Sequence, residues 1–215
     1  MEVAKNTKSV MDNKNYQATV KTYNKLGQKY SNAVANASPK AMTSFIKRLK
    51  KNSRILDVGC AGGRDMKIFN EKGFTAVGID VSNALLKIAK KEAPKGKFFK
   101  MDVLELKFPK NYFDGVWADA VLIHLTKKDL PKALKNIYET LSDRGIFYAS
   151  FKYGQGEKLV KEKPFTNDAR FYSYYKKQEL EHLLKKSGFK IIKSTFLADD
   201  LKRPGVKWIS IFAKK

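Results

Sequence analysis

The sequence predicts an α/β fold, a mostly parallel sheet with helices on both faces. Three observations carry that prediction. Residues 55–65, ILDVGCAGGRD, run a buried β-branched strand straight into a glycine-rich turn that opens a helix. A second strand over residues 75–79 ends on Asp80, 23 positions after Asp57. From Ser53 to the end of a strand over 145–152, strands alternate with helices, which demands a parallel sheet covered on both sides. At 215 residues the chain has room for one such core and none for a second large domain.

The elements follow in order. Residues 1–14 are polar, lack aromatics and are expected to fray. From Asn15 onward, Tyr16, Val20, Tyr23, Leu26 and Tyr30 recur at three- and four-residue steps, so one helical face is apolar and must pack on something. Residues 1–50 are therefore read as a helical extension or lid, and 51–215 as the globular domain. A helix over 83–91 carries Leu85, Leu86, Ile88 and Ala89 as its apolar stripe, with Ser82 as its cap. Residues 97–100 form a short strand ahead of Met101-Asp102-Val103, and 113–118 form a fully buried one. After residue 152 the pattern changes: a helix over 176–187 ends in Ser187-Gly188, and strands over 189–196 and 206–213 close the chain.

A strand, a glycine turn and a helix, with an acidic residue ending the next strand, form an architecture for a nucleoside. The glycines let the backbone turn tightly and approach a ligand, and the helix offers unpaired amides. A carboxylate at the end of the second strand suits the two hydroxyls of a ribose. The dinucleotide fingerprint G-x-G-x-x-G is not met by Asp57, Val58, Gly59, Cys60, Ala61, Gly62, Gly63, Arg64. That row instead resembles motif I, D-x-G-x-G-x-G, of the class I S-adenosylmethionine-dependent methyltransferases, and Asp80, Asp102-Val103 and the strand 113–118 resemble motifs II, III and IV in order.

The resemblance implies a Rossmann-like seven-stranded sheet whose last strand is inserted antiparallel. It implies S-adenosylmethionine as cofactor and S-adenosylhomocysteine as product. Asp57 would face the ammonium of the methionine moiety, Arg64 its carboxylate, Asp80 the ribose, and Asp102 with Val103 the adenine. Gly59, Cys60, Ala61 and Gly63 of the turn, Val81 beside Asp80, and Ala118-Asp119 after the fourth strand complete the implied cofactor set. Ala61 stands where the family has its middle glycine, and is expected to have a negative φ. Tyr23 and Tyr30 either close over the methionine end as part of a lid or pack on the flank of the sheet.

The acceptor side should lie at the carboxyl ends of the strands. Trp117 and His124 come from the segment after the fourth strand. His124 is a candidate general base, or a residue that only shapes the pocket. Lys152 and Glu157 bracket a glycine-bearing segment after the fifth strand, where a rigid sheet can hold substrate residues. The run 167–175 packs four aromatics, Tyr172 among them, around Arg170. That mix suits a planar or anionic substrate, by stacking or by a bidentate contact; the alternative is a cover strand anchored by its aromatics.

Charge bears on the substrate. Forty-four basic against twenty-one acidic side chains give a net +23, a field that attracts polyanions. Yet 38 of the 44 are lysine, spread along the chain and partly on helix faces, a composition that arises without selection for binding. One cysteine, Cys60, rules out an internal disulfide framework and fits a cytoplasmic setting. No membrane-length apolar run, signal peptide or zinc spacing appears. The reading is a cytoplasmic methyltransferase that moves a methyl group to N, O or C of a small molecule. One rival is an RNA (tRNA) methyltransferase with salt-sensitive activity; the other is a non-catalytic partner protein that only binds the cofactor.

Overall fold

The computed structural model describes residues 14–35, 37, 41–161, 168–199, 201 and 203–215. The fraying expected for 1–14 falls, Lys14 apart, outside the described residues, as does Asn167.

The strands are β1 (Arg54–Val58), β2 (Thr75–Asp80), β3 (Lys97–Lys100), β4 (Phe113–Ala118), β5 (Leu141–Lys152), β8 (Lys190–Ala198) and β9 (Lys207–Lys214). They join in one seven-stranded sheet of order β3-β2-β1-β4-β5-β9-β8. The pairings β1 with β2 and β4, β2 with β3, and β4 with β5 are parallel, while β9 lies antiparallel between β5 and β8. The expected sheet, with its inserted antiparallel last strand, is therefore present. Ile55, Leu56 and Val58 are at most 1 % exposed, as a strand covered on both faces must be, which is why β1 and β4 are mostly apolar rather than alternating. Strand order reverses between β1 and β4, so the crevice of this fold opens at their carboxyl ends.

Two apolar layers flank the sheet. One gathers Leu56, Val58, Val116, Ala118 and Phe147 with Leu134 and Ile137 of α5 (Leu130–Thr140) and Leu180 and Leu184 of α6 (Lys177–Lys186). The other gathers Ile55, Trp117 and Tyr148 with Phe45 of α2 (Met42–Ile46) and Met66 and Phe69 of α3 (Arg64–Glu71). Side chains alternate across a strand, so Trp117 faces the second layer while its neighbours Val116 and Ala118 face the first.

The helix α1 (Lys14–Val34) is bent at Gly27, whose φ of 40° and ψ of −115° leave the helical region. It packs on α4 (Asn83–Glu92) and on β7 (Ala169–Ser173), the inner strand of a hairpin with β6 (Glu157–Lys161). Polar bonds fix it there: Thr22 donates to the Ala169 carbonyl at 3.0 Å, Thr19 accepts from the Phe171 amide at 2.9 Å, and Asn24 accepts from Ser82 Oγ at 2.9 Å. Ser82 caps α4 as expected, accepting from the Leu85 amide at 3.2 Å. The periodicity placed five apolar residues on one face of α1. Of these only Leu26 is buried; the tyrosines stay half-buried and line cavities. The aromatic run after residue 167 is a cover strand, β7, and the partner strand β6 had no sequence signal.

Candidate active site

The glycine turn after β1 is built by close approach. Gly59 has φ 70°, and a Cβ there would lie 2.3 Å from Val121 Cγ2, so only glycine lets β1 leave the sheet beside the segment after β4. Gly59 and Cys60 both donate their amides to the Ile79 carbonyl, at 2.8 and 3.0 Å, which folds the turn over the end of β2. Ala61 has φ 46°, so the expected negative φ is overturned. Its amide donates to Asp80 Oδ2 at 3.0 Å, and this bond holds an alanine in a region that disfavours a Cβ. Gly63 does not line the cleft: a Cβ there would meet Ala89 Cα at 2.9 Å, so this glycine lets α3 pack on α4.

Two adjoining cavities open above this turn. They share Tyr23, Tyr30, Gly59, Ala61, Asp119 and His124 as walls. The smaller one adds Tyr16, Ile79, Asp80, Val81, Met101, Asp102 and Val103; the larger adds Asp57, Cys60, Arg64, Lys152, Arg170 and Tyr172. The expected nucleoside-facing residues Asp80, Val81, Asp102 and Val103 thus gather in one cavity, and Asp57 and Arg64 with Lys152, Arg170 and Tyr172 of the expected acceptor-facing residues in the other.

Four carboxylates and one arginine surround the junction. Asp57 is 2 % exposed, and its Oδ2 is buried with no hydrogen-bond partner. Burial, then the charge of Asp65, push its pKa well above the usual carboxylate range against the pull of Arg64. A buried, unmatched acceptor of this kind fits a cationic ligand group, which supplies both a donor and a compensating charge. Arg64 donates Nε to Asp65 Oδ1 at 2.6 Å and Nη2 to Asp65 Oδ2 at 2.9 Å, and reaches Asp119 Oδ2 at 3.6 Å. Burial works against its charge, and Asp65 with Asp119 more than offsets that, so its pKa is raised. Asp80 accepts from two backbone amides, Ser82 at 2.8 Å as well as Ala61. Burial still leaves its pKa raised. The Cys60 thiol is pushed up by burial and by Asp57, which makes it a poor nucleophile.

His124 is locked by both ring nitrogens. Nδ1 lies 2.8 Å from the Phe171 carbonyl, which can only accept, so Nδ1 carries the proton. Bare Nε2 then accepts from the Tyr23 hydroxyl at 3.0 Å. Arg170 Nη1 also donates to that hydroxyl oxygen, at 3.3 Å. Beside this chain, the Lys152 ammonium lies 3.8 Å from the centroid of the Tyr172 ring and the Arg170 guanidinium 5.5 Å from it. Lys152 and Arg170 are only 4 % and 2 % exposed, so this wall of the cavity holds two buried cations.

Besides Gly63, three residues do not lie where the sequence reading put them. Trp117 is fully buried in the core, stacked on Tyr148 at 4.1 Å, with Nε1 donating to Asp65 Oδ2 at 2.9 Å. It cannot touch an acceptor; it orients the carboxylate that holds Arg64. Glu157 points away from the cleft and accepts from the Lys127 amide and from Ser173 Oγ, tying the β6–β7 hairpin to the segment before α5. Ala118 is sealed in the first apolar layer. Sequence reasoning missed the wall formed by Leu197, Ala198, Asp199, Leu201, Arg203 and Trp208. Asp199 accepts from Arg203 Nε at 2.9 Å and Nη2 at 2.6 Å and from Trp208 Nε1 at 2.8 Å, and this clamp holds its pKa down at about 2 although burial opposes it. An Asp, an Arg and a Trp separated by four and nine positions leave no periodic trace.

A family model described as a methyltransferase domain matches residues 29–194. The phosphoethanolamine N-methyltransferase of Plasmodium falciparum is 26% identical over 200 residues, covering 89% of this chain and 74% of that protein. Among solved structures, the 1,6-didemethyltoxoflavin-N1-methyltransferase of Burkholderia thailandensis, bound to its named ligand and S-adenosylhomocysteine, superimposes with a TM-score of 0.76 at 20% identity, covering 93% of this chain and 88% of that one. A SAM-dependent methyltransferase from Methanosarcina mazei gives a TM-score of 0.70 at 20% identity, covering 79% and 95%.

Proposed function

The chain belongs to the methyltransferase-domain family and is an S-adenosylmethionine-dependent methyltransferase; from that premise we propose that its acceptor is a small molecule carrying an anionic group. The observation that carries this reading is the pair of buried cations, Lys152 and Arg170, flanking the Tyr172 ring in the cavity that also holds Asp57. Two like charges held in one low-dielectric wall draw in an anion, and an arginine fork suits the oxygens of a phosphate or carboxylate. The Plasmodium relative is named for a phosphomonoester amine, which has that charge.

S-Adenosylmethionine supplies an activated methyl group. In our reading Asp57 and Asp119 attract the ammonium end, Arg64 the carboxylate, Asp80 the ribose hydroxyls and Asp102 with Val103 the adenine. The protein's own work is to align the nucleophile, exclude water and receive a proton where the nucleophile carries one. That proton passes to the Tyr23 oxygen as the Tyr23 proton moves to His124 Nε2; the Phe171 carbonyl steadies the imidazolium through Nδ1, and Arg170 favours negative charge on the phenol oxygen. His124 therefore acts through Tyr23. Helix α1 serves as the lid: Tyr23 and Tyr30 stand in the wall common to both cavities, and three bonds to α4 and β7 seat the helix there. Among the described residues no helix is long and apolar enough to cross a membrane, and with the single buried Cys60 we place the enzyme in the cytoplasm.

Steady-state kinetics on phosphoethanolamine and on ethanolamine test the proposal. Lys152→Met should raise KM for the phosphorylated amine about 10-fold or more with a smaller change in kcat, as expected for loss of a charged contact, whereas Arg170→Met, which also removes the donor on the Tyr23 oxygen, should raise KM and lower kcat together. Equal turnover of the neutral and anionic acceptors, or saturable methylation of RNA that falls steeply with salt, would overturn it.

A further inference from the structure

Tyr16 lies in the first turns of α1, and its side chain lines the smaller cavity only. Its hydroxyl donates to Asp102 Oδ2 at 2.5 Å, across 86 residues of sequence. The other oxygen, Oδ1, accepts from the Leu104 amide at 2.9 Å. Asp102 is 8 % exposed and shares that cavity with Asp80, Val81 and Val103. With one donor on each oxygen the plane of the carboxylate is fixed, while every carboxylate oxygen keeps a second lone pair for a ligand. A phenol on a carboxylate makes a short, charge-assisted bond. Burial first, and the Asp102 charge second, push the Tyr16 pKa up, which keeps the hydroxyl a donor.

We propose that Tyr16 is a positioning residue for purine recognition: it holds the Asp102 carboxylate in the plane that accepts the exocyclic amine of a 6-aminopurine, and so couples seating of α1 to recognition of the base. The proposal rests on the reading that Asp102 faces the adenine. An amine donated to an aimed carboxylate is worth more than one donated to a carboxylate free to rotate, because the aimed one loses no rotamer freedom on binding. The bond also makes the first turns of α1 sensitive to what fills the smaller cavity. A ligand with a carbonyl at position 6 brings an acceptor to an acceptor and gains nothing from Asp102.

The test is calorimetric binding of S-adenosylhomocysteine and of its 6-oxo analogue, S-inosylhomocysteine, to the wild type, Tyr16→Phe and Asp102→Asn. The wild type should prefer the 6-amino ligand about 10- to 150-fold, the range for a hydrogen bond to a charged group. Tyr16→Phe keeps the ring, and so the packing of α1, and should cut that preference about threefold or more by weakening the 6-amino ligand alone. Asp102→Asn, whose amide can donate to a carbonyl, should shift preference towards the 6-oxo ligand. A merely structural Tyr16 would weaken both ligands equally in Tyr16→Phe and leave the ratio intact; that result overturns the proposal. A wild type that does not discriminate sinks the Asp102 reading beneath it, and the role of Tyr16 falls with it.

Discussion

Replacing Asp57 by asparagine should move stability and affinity in opposite directions. In the free protein Asp57 is a buried carboxyl with an unmatched Oδ2, beside Asp65, and its raised pKa records the cost of ionising it there. A neutral side chain of the same shape removes that cost, so the unfolding midpoint of the free protein should rise. Binding should suffer, because the cationic end of S-adenosylmethionine loses a charge-assisted bond worth about 1.5–3 kcal/mol, which is roughly 10- to 150-fold in affinity. Ligand-induced stabilisation makes both visible in one experiment. At S-adenosylhomocysteine equal to 100 times the wild-type Kd, the wild type gains about 2.7 kcal/mol. An Asp57→Asn protein with a Kd about 50-fold weaker gains only about 0.6 kcal/mol at the same concentration. Denaturation with and without ligand gives the four numbers, with calorimetry as the direct check. A variant that loses stability and affinity together, or that binds as tightly as the wild type, refutes the assignment of Asp57 to the cationic end of the cofactor.

Other outcomes follow from the same geometry. Because the folded pKa of Asp57 is raised, its own contribution to the stability of the free protein is fully present below the ordinary Asp range and is lost as pH rises through the raised value. Cofactor needs the ionised form, so affinity should rise with pH across that window with release of a proton, which calorimetry in buffers of different ionisation enthalpy detects; Asp57→Asn should flatten both profiles. Ala61→Gly relieves a left-handed alanine at φ 46° and should stabilise by about 0.5–1 kcal/mol, about 2 °C in midpoint, where a fall would show that the strain is absorbed elsewhere. Trp117→Phe leaves Asp65 Oδ2 short of one donor in the core and should cost about 1–3 kcal/mol of stability while leaving acceptor KM unchanged; an acceptor-specific KM effect would return Trp117 to the acceptor pocket.

The parts of this molecule that read plainly in the sequence are those written locally. β1 and β4 announce themselves as short, mostly apolar segments, the turn between β1 and α3 by its glycines, and α4 by Ser82 ahead of a periodic stripe. Asp57, Asp80 and Asp102 line up because each lies at or just past the carboxyl end of one of three adjacent parallel strands, β1, β2 and β3, a consequence of the alternating pattern itself. Trp117 misled because an aromatic at a strand end is as good an anchor for the core as for a substrate; one step of alternation put it on the face opposite the cleft. The β6 strand was invisible because three of its five residues are charged and, among the described strands, it pairs with β7 alone. The Tyr16–Asp102 and Tyr23–His124 bonds and the Asp199 clamp depend on pairings that no local pattern records.

Transfer of labelled methyl groups from S-adenosylmethionine into a fractionated cell extract bears most directly on the function proposed here. Label should enter a nuclease-resistant, small-molecule fraction retained on an anion exchanger, and the Asp57→Asn and Lys152→Met variants should both lose it. Label in a nuclease-sensitive fraction would make RNA the substrate, and no Asp57-dependent label in any fraction would contradict the assignment of this cleft to methyl transfer.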